Sequence, residues 1–190
     1  MSPTDVTPLP RRPKRADARR NYDKLVNAAR QAFTEEGTEA TLEDVAQRAG
    51  VGIGTLYRHF PTRHDLVEAA YRGGVEEVCA AAGKYADQPP WEALSGWLRE
   101  LVTFAATKRP LSEELLADMD RDSSVVSSCS GQIYGAGEPL LKRAQEAGVV
   151  RPDAEIGDVT KMVSGIAALR TADAEQIDRI LGIALDGLRT

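Results

Sequence analysis

The chain has few of the residues on which disulfide frameworks and metal sites depend. Its 190 residues include two cysteines and two histidines, and aromatic residues make up 5%. Cys79 and Cys129 stand in separate helical patterns, which favours reduced thiols over a disulfide framework, although a redox-sensing pair stays an open alternative. His59 and His64 lie on either side of Pro61, so they do not form the same-face i, i+4 pair of a helical zinc site. We therefore expect neither a metal nor a cofactor.

Long apolar segments and catalytic motifs are also missing from the sequence. No apolar run approaches the length of a membrane span, and the basic, proline-containing N-terminus lacks the apolar core of a secretory signal, so we expect a cytoplasmic protein with no membrane partner. There is no glycine-rich phosphate loop after a strand, no nucleophile elbow and no cysteine pair at metal-ligand spacing. These absences argue against an enzyme. A helical enzyme that hides Glu113 or Asp118 in a cavity is the minor alternative.

Charge is unevenly distributed along the chain. The net charge is −5, but residues 11–30 hold eight basic side chains against two acidic ones. Residues 1–68 sum to +1 and residues 69–190 to −6, so a nucleic-acid footprint is expected only near the N-terminus. Four prolines and a scarcity of apolar side chains predict a disordered basic arm over residues 1–16, which either lies along DNA or stays solvated.

The strongest local pattern is TLEDVAQRAGVGIGTLYRHF, which begins at Thr41. Thr41 stands three residues before Asp44, which predicts a capping box and a helix that begins at the next residue. Gly50 supplies the left-handed conformation that ends a helix. A second helix then begins near residue 52 or 53 and turns Leu56 and Phe60, at i and i+4, toward the first. Two short helices joined by such a turn form a helix-turn-helix.

Helices before and after this pattern complete a small unit. Apolar residues recur at spacings of three and four from Asp17 to Glu36, and Gly37 ends that helix. Leu25 and Phe33 are predicted to pack on the helix-turn-helix as a trihelical core.

After the second helix of the pattern, Pro61 breaks the chain's helical run. Thr62 is placed to cap a new helix, and Arg63 falls in its first turn, where a phosphate can dock. Gly73 and Gly74 lie in the middle of this helix, which favours close packing against a neighbour over the alternative of a soft point in the helix. This helix is the link between the DNA-binding unit and the rest of the chain.

These residues resemble the DNA-binding segment of the tetracycline-repressor (TetR) family of one-component regulators. The resemblance rests on the run GVGIGTLYRHFPTRHDL together with Ala28, Phe33, Gly37 and Thr41, and it covers residues 19–66; the rest matches only in helical layout and in a local AQEAGVVRPD pattern. The family's phosphate contacts carry over to Thr41, Thr55, Tyr57, His59 and Arg63, and its groove contacts to Ile53, Gly54 and Arg58. Two positions depart from the usual pattern, because Gly52 replaces a capping hydroxyl residue and Ile53 replaces a frequently polar reader.

Prolines and glycines divide the remaining chain into further predicted helices. The helix from Arg63 runs toward residue 85, and a strongly amphipathic helix follows Pro90 and ends before Pro110. A shorter helix is predicted after Ser112, no helix ends are placed between residues 120 and 137, and Pro139 starts or kinks the next helix. The last two helices are predicted over about residues 153–170 and 172–188, and both are apolar on more than one side.

The family resemblance implies a ligand pocket and a dimer interface in these helices. Bundle interiors often hold small-molecule pockets, although each large side chain here is also an ordinary core residue. The predicted pocket residues are Trp97, Leu101, Phe104, Met119, Tyr134 and Met162. In this family two C-terminal helices typically pair with those of a second chain, and a monomeric core is the alternative. The predicted interface residues are Met162, Val163, Ile166, Ile177, Leu181, Ala184 and Leu185.

The sequence therefore predicts an all-α protein with an N-terminal three-helix DNA-binding unit and a C-terminal helical domain for effector binding and dimerisation. The predicted divisions are an arm at 1–16, a DNA-binding domain at 17–62 and an effector domain at 63–190. The resemblance implies a homodimeric repressor that a small, largely apolar effector releases from a palindromic double-stranded DNA operator. A ligand-independent architectural DNA-binding protein is the alternative, and more than about a hundred residues of predicted C-terminal helices argue against it.

Overall fold

A computed structural model of the chain describes residues 12–117, 123–169 and 173–190. In these ranges the chain forms α1 (Ala16–Glu36), α2 (Leu42–Ala49), α3 (Ile53–His59), α4 (Arg63–Ala81), α5 (Pro90–Ala117), α6 (Ser123–Glu146), α7 (Ile156–Ala167) and α8 (Ala174–Asp186). Two short 3-10 turns, Gly37–Glu39 and Ala82–Tyr85, follow α1 and α4. The prediction of an all-α fold with an N-terminal helix-turn-helix is confirmed. Across the described ranges, no helix is both long and apolar enough to span a membrane.

The helix-turn-helix forms because its ends are specified locally. The Thr41 hydroxyl accepts a hydrogen bond from the backbone N–H of Asp44 at 3.1 Å, and the Asp44 carboxylate accepts one from the Thr41 N–H at 3.4 Å. Gly50 ends α2 with φ 62° and ψ 36°, the left-handed conformation expected of it. Gly52 begins α3 without a side-chain cap. Both helices therefore begin and end where the sequence predicts.

The N-terminal unit packs around large side chains from four helices. Leu25 and Phe33 of α1, Val45 of α2, Leu56 of α3 and Phe60 just after it are each at most 1% exposed. Leu66, Val67 and Ala70 of α4 join the same core. The predicted packing of α1 on the helix-turn-helix is confirmed, and α4 is continuous with it.

Helix α5 corrects one prediction. It was expected to end before Pro110, with a separate short helix after Ser112, but it continues through Pro110 as one helix of 28 residues. A proline inside a helix lacks one backbone hydrogen bond and costs about 3 kcal/mol. Leu111 and Leu115 lie in the core of the N-terminal unit at 1% and 0% exposure, and burying two leucines contributes about 1.5–3 kcal/mol each. Tertiary burial thus outweighs the local break.

A second core fills the C-terminal part of the chain. Trp97 of α5 is fully buried at its centre, and its indole N–H donates to the carbonyl of Val78 at 2.9 Å. A Cβ on Gly137 of α6 would lie 2.5 Å from the Trp97 ring, so this glycine allows the two helices to approach closely. Helix α6 continues through Pro139, which is therefore internal to the helix.

The chain ends differ in part from the predictions. Helices α7 and α8 are shorter than predicted at both ends, although Arg170 and Ala172 lie outside the described residues. Of the predicted arm, residues 1–11 also lie outside them, while Arg12 forms an ion pair with Asp23 in which Nη2 and Oδ2 are 2.6 Å apart.

Candidate nucleic-acid interface and effector cavity

The outward face of α3 is unusually apolar for a surface helix. Ile53 is 38% exposed and Tyr57 is 46% exposed, while Leu56 and Phe60 on the opposite face are fully buried. The backbone conformation of a seven-residue helix is marginal alone, so burial of Leu56 holds the exposed side chains in fixed positions. The helix therefore presents a rigid surface that carries two large hydrophobic groups in water.

Polar and small residues complete this face. Arg58 is exposed and forms no ion pair within the part of the chain that is described. Gly54 is exposed, and a Cβ there would have no other atom within 4 Å, so a duplex can approach the backbone at this point. Thr41, at the start of α2, is exposed. Thr55, near the start of α3, is half-buried. Ile53, Gly54, Tyr57 and Arg58 thus share one accessible surface.

His59 lies between this surface and the core. Its ring meets that of Tyr22 edge-on, with centroids 6.3 Å apart, and that of Phe60 at the same separation. Burial lowers the pKa of His59, and the positive charge of Arg58 lowers it further. The imidazole is therefore held mainly in its neutral form beside a cationic neighbour.

Arg63 is engaged within the protein. Its Nε donates to Oε1 of Glu114 at 2.7 Å and its Nη2 to Oε2 at 3.2 Å, while Nη1 donates to the carbonyl of Ala40. The guanidinium also lies over the Phe33 ring, 4.7 Å from its centroid. Its contact with phosphate stays a prediction, but the side chain also joins α4 to the end of α5.

A cavity of about 260 Å³ lies between α4, α5, α6 and α7. Its apolar lining includes Leu101, Phe104, Val126 and Ile133, and its polar lining includes Tyr71, Lys108, Arg109, Ser112, Ser130 and Ser164. The lining is thus mixed, whereas the predicted effector was largely apolar. The cavity lies at the junction of four helices of the C-terminal domain.

The predicted pocket residues divide into three groups. Leu101 and Phe104 line this cavity. Trp97 is buried in the C-terminal core, and Tyr134 and Met162 pack against that core as partly buried side chains. Met119 lies outside the described residues. Lys108, Ser112 and Ile133 also line the cavity, and they were not among the predicted pocket residues.

The spacing of the cavity-lining residues on α5 was visible in the sequence. Leu101, Phe104, Lys108 and Ser112 follow at spacings of three and four on a single helix face. Lys108 lies before Pro110, so the expected break there separated only Ser112 from the other three residues.

The predicted interface residues also lie in different environments. Val163, Leu181 and Leu185 are buried in the core of the single chain, as is Ile166 at 9% exposure. Met162, Ile177 and Ala184 are partly buried. The large hydrophobic side chains that reach solvent in this region are Leu169, 40% exposed, and Ile183, 74% exposed. The large apolar residues exposed in this region are therefore not those predicted for the dimer interface.

Comparisons with known proteins agree with this geometry. Residues 25–70 match the model of the family described as bacterial regulatory proteins, tetR family, and residues 89–190 match that of the SbtR-like transcriptional regulator C-terminal domain. A TetR transcriptional regulator from Streptomyces coelicolor is 38% identical with a TM-score of 0.74, over 88% of this chain and 98% of that one. The chain belongs to the TetR family of transcriptional regulators. It is thus a DNA-binding protein. The regulators of this family are generally not enzymes.

Two further comparisons are consistent with membership in the TetR family. A TetR regulatory protein from Mycobacterium vanbaalenii is 31% identical with a TM-score of 0.74, over 94% of this chain and 100% of that one. A helix-turn-helix-type transcriptional regulator of Staphylococcus aureus is 42% identical over 53 residues, or 27% of this chain. That match spans 29% of the length of the Staphylococcus aureus protein.

Proposed function

We propose that this TetR-family protein is a homodimeric repressor that binds an inverted-repeat operator through α3 and leaves it when a small effector binds. The observation that carries the proposal is the face of α3, where Ile53, Tyr57 and Arg58 are exposed on a helix anchored by Leu56. A major groove admits a helix, offers thymine methyl groups to an apolar side chain and offers guanine acceptors to an arginine. Ile53 and Arg58 match these two kinds of group.

The remaining predicted contacts surround this helix. Thr41, Thr55, Tyr57 and His59 are assigned to phosphates, and Ile53, Gly54 and Arg58 to base edges. Arg63 is also assigned to a phosphate, in addition to its ion pair with Glu114. Phosphate contacts fix the orientation of the protein on the duplex, whereas groove contacts select its sequence.

Homodimer formation is assigned to the outer sides of α7 and α8. Ile183 on α8 and Leu169, which follows the end of α7, are exposed, and Ile177 and Ala184 on α8 are partly buried. Pairing these faces about a two-fold axis would remove large apolar side chains from water. The same symmetry supplies two recognition helices for the two halves of an inverted repeat.

The coupling between effector and DNA is assigned to α5. This helix lines the cavity with Leu101 and Phe104, and it reaches the core of the N-terminal unit with Leu111 and Leu115. We retain residues 17–62 as the DNA-binding domain and 63–190 as the effector domain, with the end of α5 packed across that division. A ligand that favours a different position of α5 shifts the DNA-binding unit with it.

Selection of bound duplexes from a random DNA pool tests the first part of this proposal. Purified protein is incubated with the pool at fixed, near-physiological salt, and the bound duplexes are sequenced. Enrichment of an inverted repeat by a protein that sediments as a dimer supports specific dimeric recognition. No enrichment by a folded dimer would favour the architectural alternative. The enriched duplex then serves as the probe for effectors that release it.

A further inference from the structure

The charged residues that line the cavity between α4, α5, α6 and α7 are basic, whereas the chain as a whole has a negative net charge. The net charge of the protein is −5, yet Lys108 and Arg109 border the cavity and no carboxylate is found among the described residues that line it. Arg109 is about one-third exposed, and its closest approach to Glu113 is 3.6 Å. Such a separation provides only a weak ion pair. Among the described residues, two basic side chains and no acidic one therefore line this cavity.

Lys108 is the more buried of the two cations. It is 9% exposed, and its Nζ donates to the hydroxyl of Thr34 on α1 at 3.2 Å. The carboxylate of Glu77 lies near enough to interact with it electrostatically, but Glu77 is paired with Arg30. Burial lowers the pKa of Lys108, and the charge of Arg30 lowers it further. A buried ammonium that bonds to a neutral hydroxyl is incompletely compensated.

The position of Lys108 also links two parts of the molecule. Its Cε would lie 3.6 Å from a Cβ on Gly74 of α4, which is an ordinary van der Waals distance, so the lysine stem runs beside α4. The side chain therefore borders the cavity, passes α4 and bonds to Thr34 on α1.

The rest of the lining limits the body of the ligand. Leu101, Phe104 and Ile133 provide apolar surface, and Ser130 and Ser164 provide hydroxyl groups. The cavity volume of about 260 Å³ lies just below the range of roughly 300–1,000 Å³ usual for ligand pockets. These dimensions suit a compact molecule with one or two rings.

We propose that the cavity binds a small carboxylate with a compact apolar body, whose charge is met by Lys108 and Arg109 and whose body packs on Phe104 and Ile133. This inference rests on the proposed effector-responsive function. The ammonium of Lys108 donates to Thr34 on α1, and within this proposal it turns toward the carboxylate in the cavity. That movement withdraws one contact between α5 and the DNA-binding unit.

A matched pair of probes tests the charge requirement. Binding of 2-naphthoate and of the neutral 2-naphthamide to the full chain is measured by titration calorimetry and by thermal unfolding. The carboxylate is expected to bind at least about tenfold more tightly than the amide, since a hydrogen bond to a charged group contributes about 1.5–3 kcal/mol. Equal affinities, or no binding of either probe, would overturn the proposal.

Substitutions locate the site of binding. Lys108→Met removes the charge and keeps most of the stem, and it should remove the preference for the carboxylate while the weak binding of the amide is retained. That retained binding shows that the cavity is still folded. Lys142→Met is the control, because Lys142 pairs with the exposed Glu138 on α6 and does not line the cavity. Unchanged discrimination in Lys108→Met would overturn the role of Lys108.

The two proposals fail in different ways. Naphthoate that binds through Lys108 but leaves the selected duplex bound would reject effector-driven release and leave the ligand class standing. Release of the duplex by the amide and the carboxylate at equal concentrations would reject the ligand class and leave effector-driven release standing.

Discussion

Arg63 and Glu114 are 51 residues apart in the sequence and form a two-pronged ion pair, with N–O distances of 2.7 and 3.2 Å. Arg63 stands in the first turn of α4, and Glu114 stands one turn from the end of α5. Ala40, just before α2, accepts a third hydrogen bond from the same guanidinium. One side chain therefore joins the helix-turn-helix, the linking helix and the end of α5.

A double-mutant cycle of Arg63→Gln and Glu114→Gln measures this connection. Arg63 is 31% exposed and Glu114 is 24% exposed, so solvent screens the pair in part and we expect a coupling energy of about 1 kcal/mol. Urea denaturation of the parent, both single variants and the double variant gives this energy. Strictly additive losses would show that the ion pair contributes nothing to stability.

Arg58→Ala tests the assignment of Arg58 to base edges. We expect it to lose about 1–3 kcal/mol of affinity for the selected duplex and to relax the preference at one position of each half-site. Arg151→Ala is the charge-matched control, because Arg151 lies between α6 and α7 and is paired with Asp153. Both variants are compared by repeating the duplex selection. An unchanged sequence preference in Arg58→Ala would refute the assignment.

Two equivalent helix caps allow the effect of a cap on stability to be distinguished from its effect on DNA binding. Thr41 and Thr62 each form a capping box, at the starts of α2 and α4. Thr41→Ala and Thr62→Ala should each lower the free energy of unfolding by about 1 kcal/mol. Only Thr41→Ala should also weaken operator binding by the folded protein, because only Thr41 is assigned to a phosphate. Equal losses of affinity would assign the effect of Thr41 to folding alone.

Gly74→Ala tests the packing of α4 beside the cavity. An added Cβ would lie 2.8 Å from Cε2 of Phe104, so the ring must move, and we expect a loss of about 1–3 kcal/mol in stability. Gly131→Ala in α6 is the control, since a Cβ there would meet no atom within 4 Å. That substitution should stabilise the protein by about 0.5–1 kcal/mol. Thermal unfolding measures both effects, and a stabilised Gly74→Ala variant would contradict the packing argument.

The environment of His59 predicts a pH dependence of stability. Burial and the charge of Arg58 lower the pKa of His59 in the folded state, so the unfolded chain takes up its proton at a higher pH. The contribution of His59 is therefore present above its unfolded pKa of about 6.5 and is lost as the pH falls through the folded value. When the pH is lowered from about 8 to about 5.5, the midpoint temperature of unfolding should fall less in His59→Gln than in the parent. An equal decline in His59→Gln and in the parent would contradict the prediction.

The local signals in the sequence predicted the DNA-binding unit correctly. Thr41 with Asp44 specifies the start of α2, and Gly50 specifies its end, because both act on backbone groups within one turn of themselves. The spacing of Leu56 and Phe60 specifies which face of α3 is buried. These features depend on residues close together in the chain, so a single sequence contains enough information for them.

The course of α5 and the surroundings of Arg63 depended on residues far apart. Pro110 predicts a break from local chemistry, but burial of Leu111 and Leu115 in the N-terminal core continues the helix. That continuation brings Glu114 to Arg63 and places Lys108 between the cavity and Thr34.

The sequence by itself determined the all-α class, the helix-turn-helix and its exposed face, since caps, turns and helical periodicity are local properties. Only the tertiary structure decided which apolar side chains are core, which line the cavity and which reach solvent after α7 and on α8. Periodicity shows that a helix face is apolar, but the packing of distant segments determines what covers it.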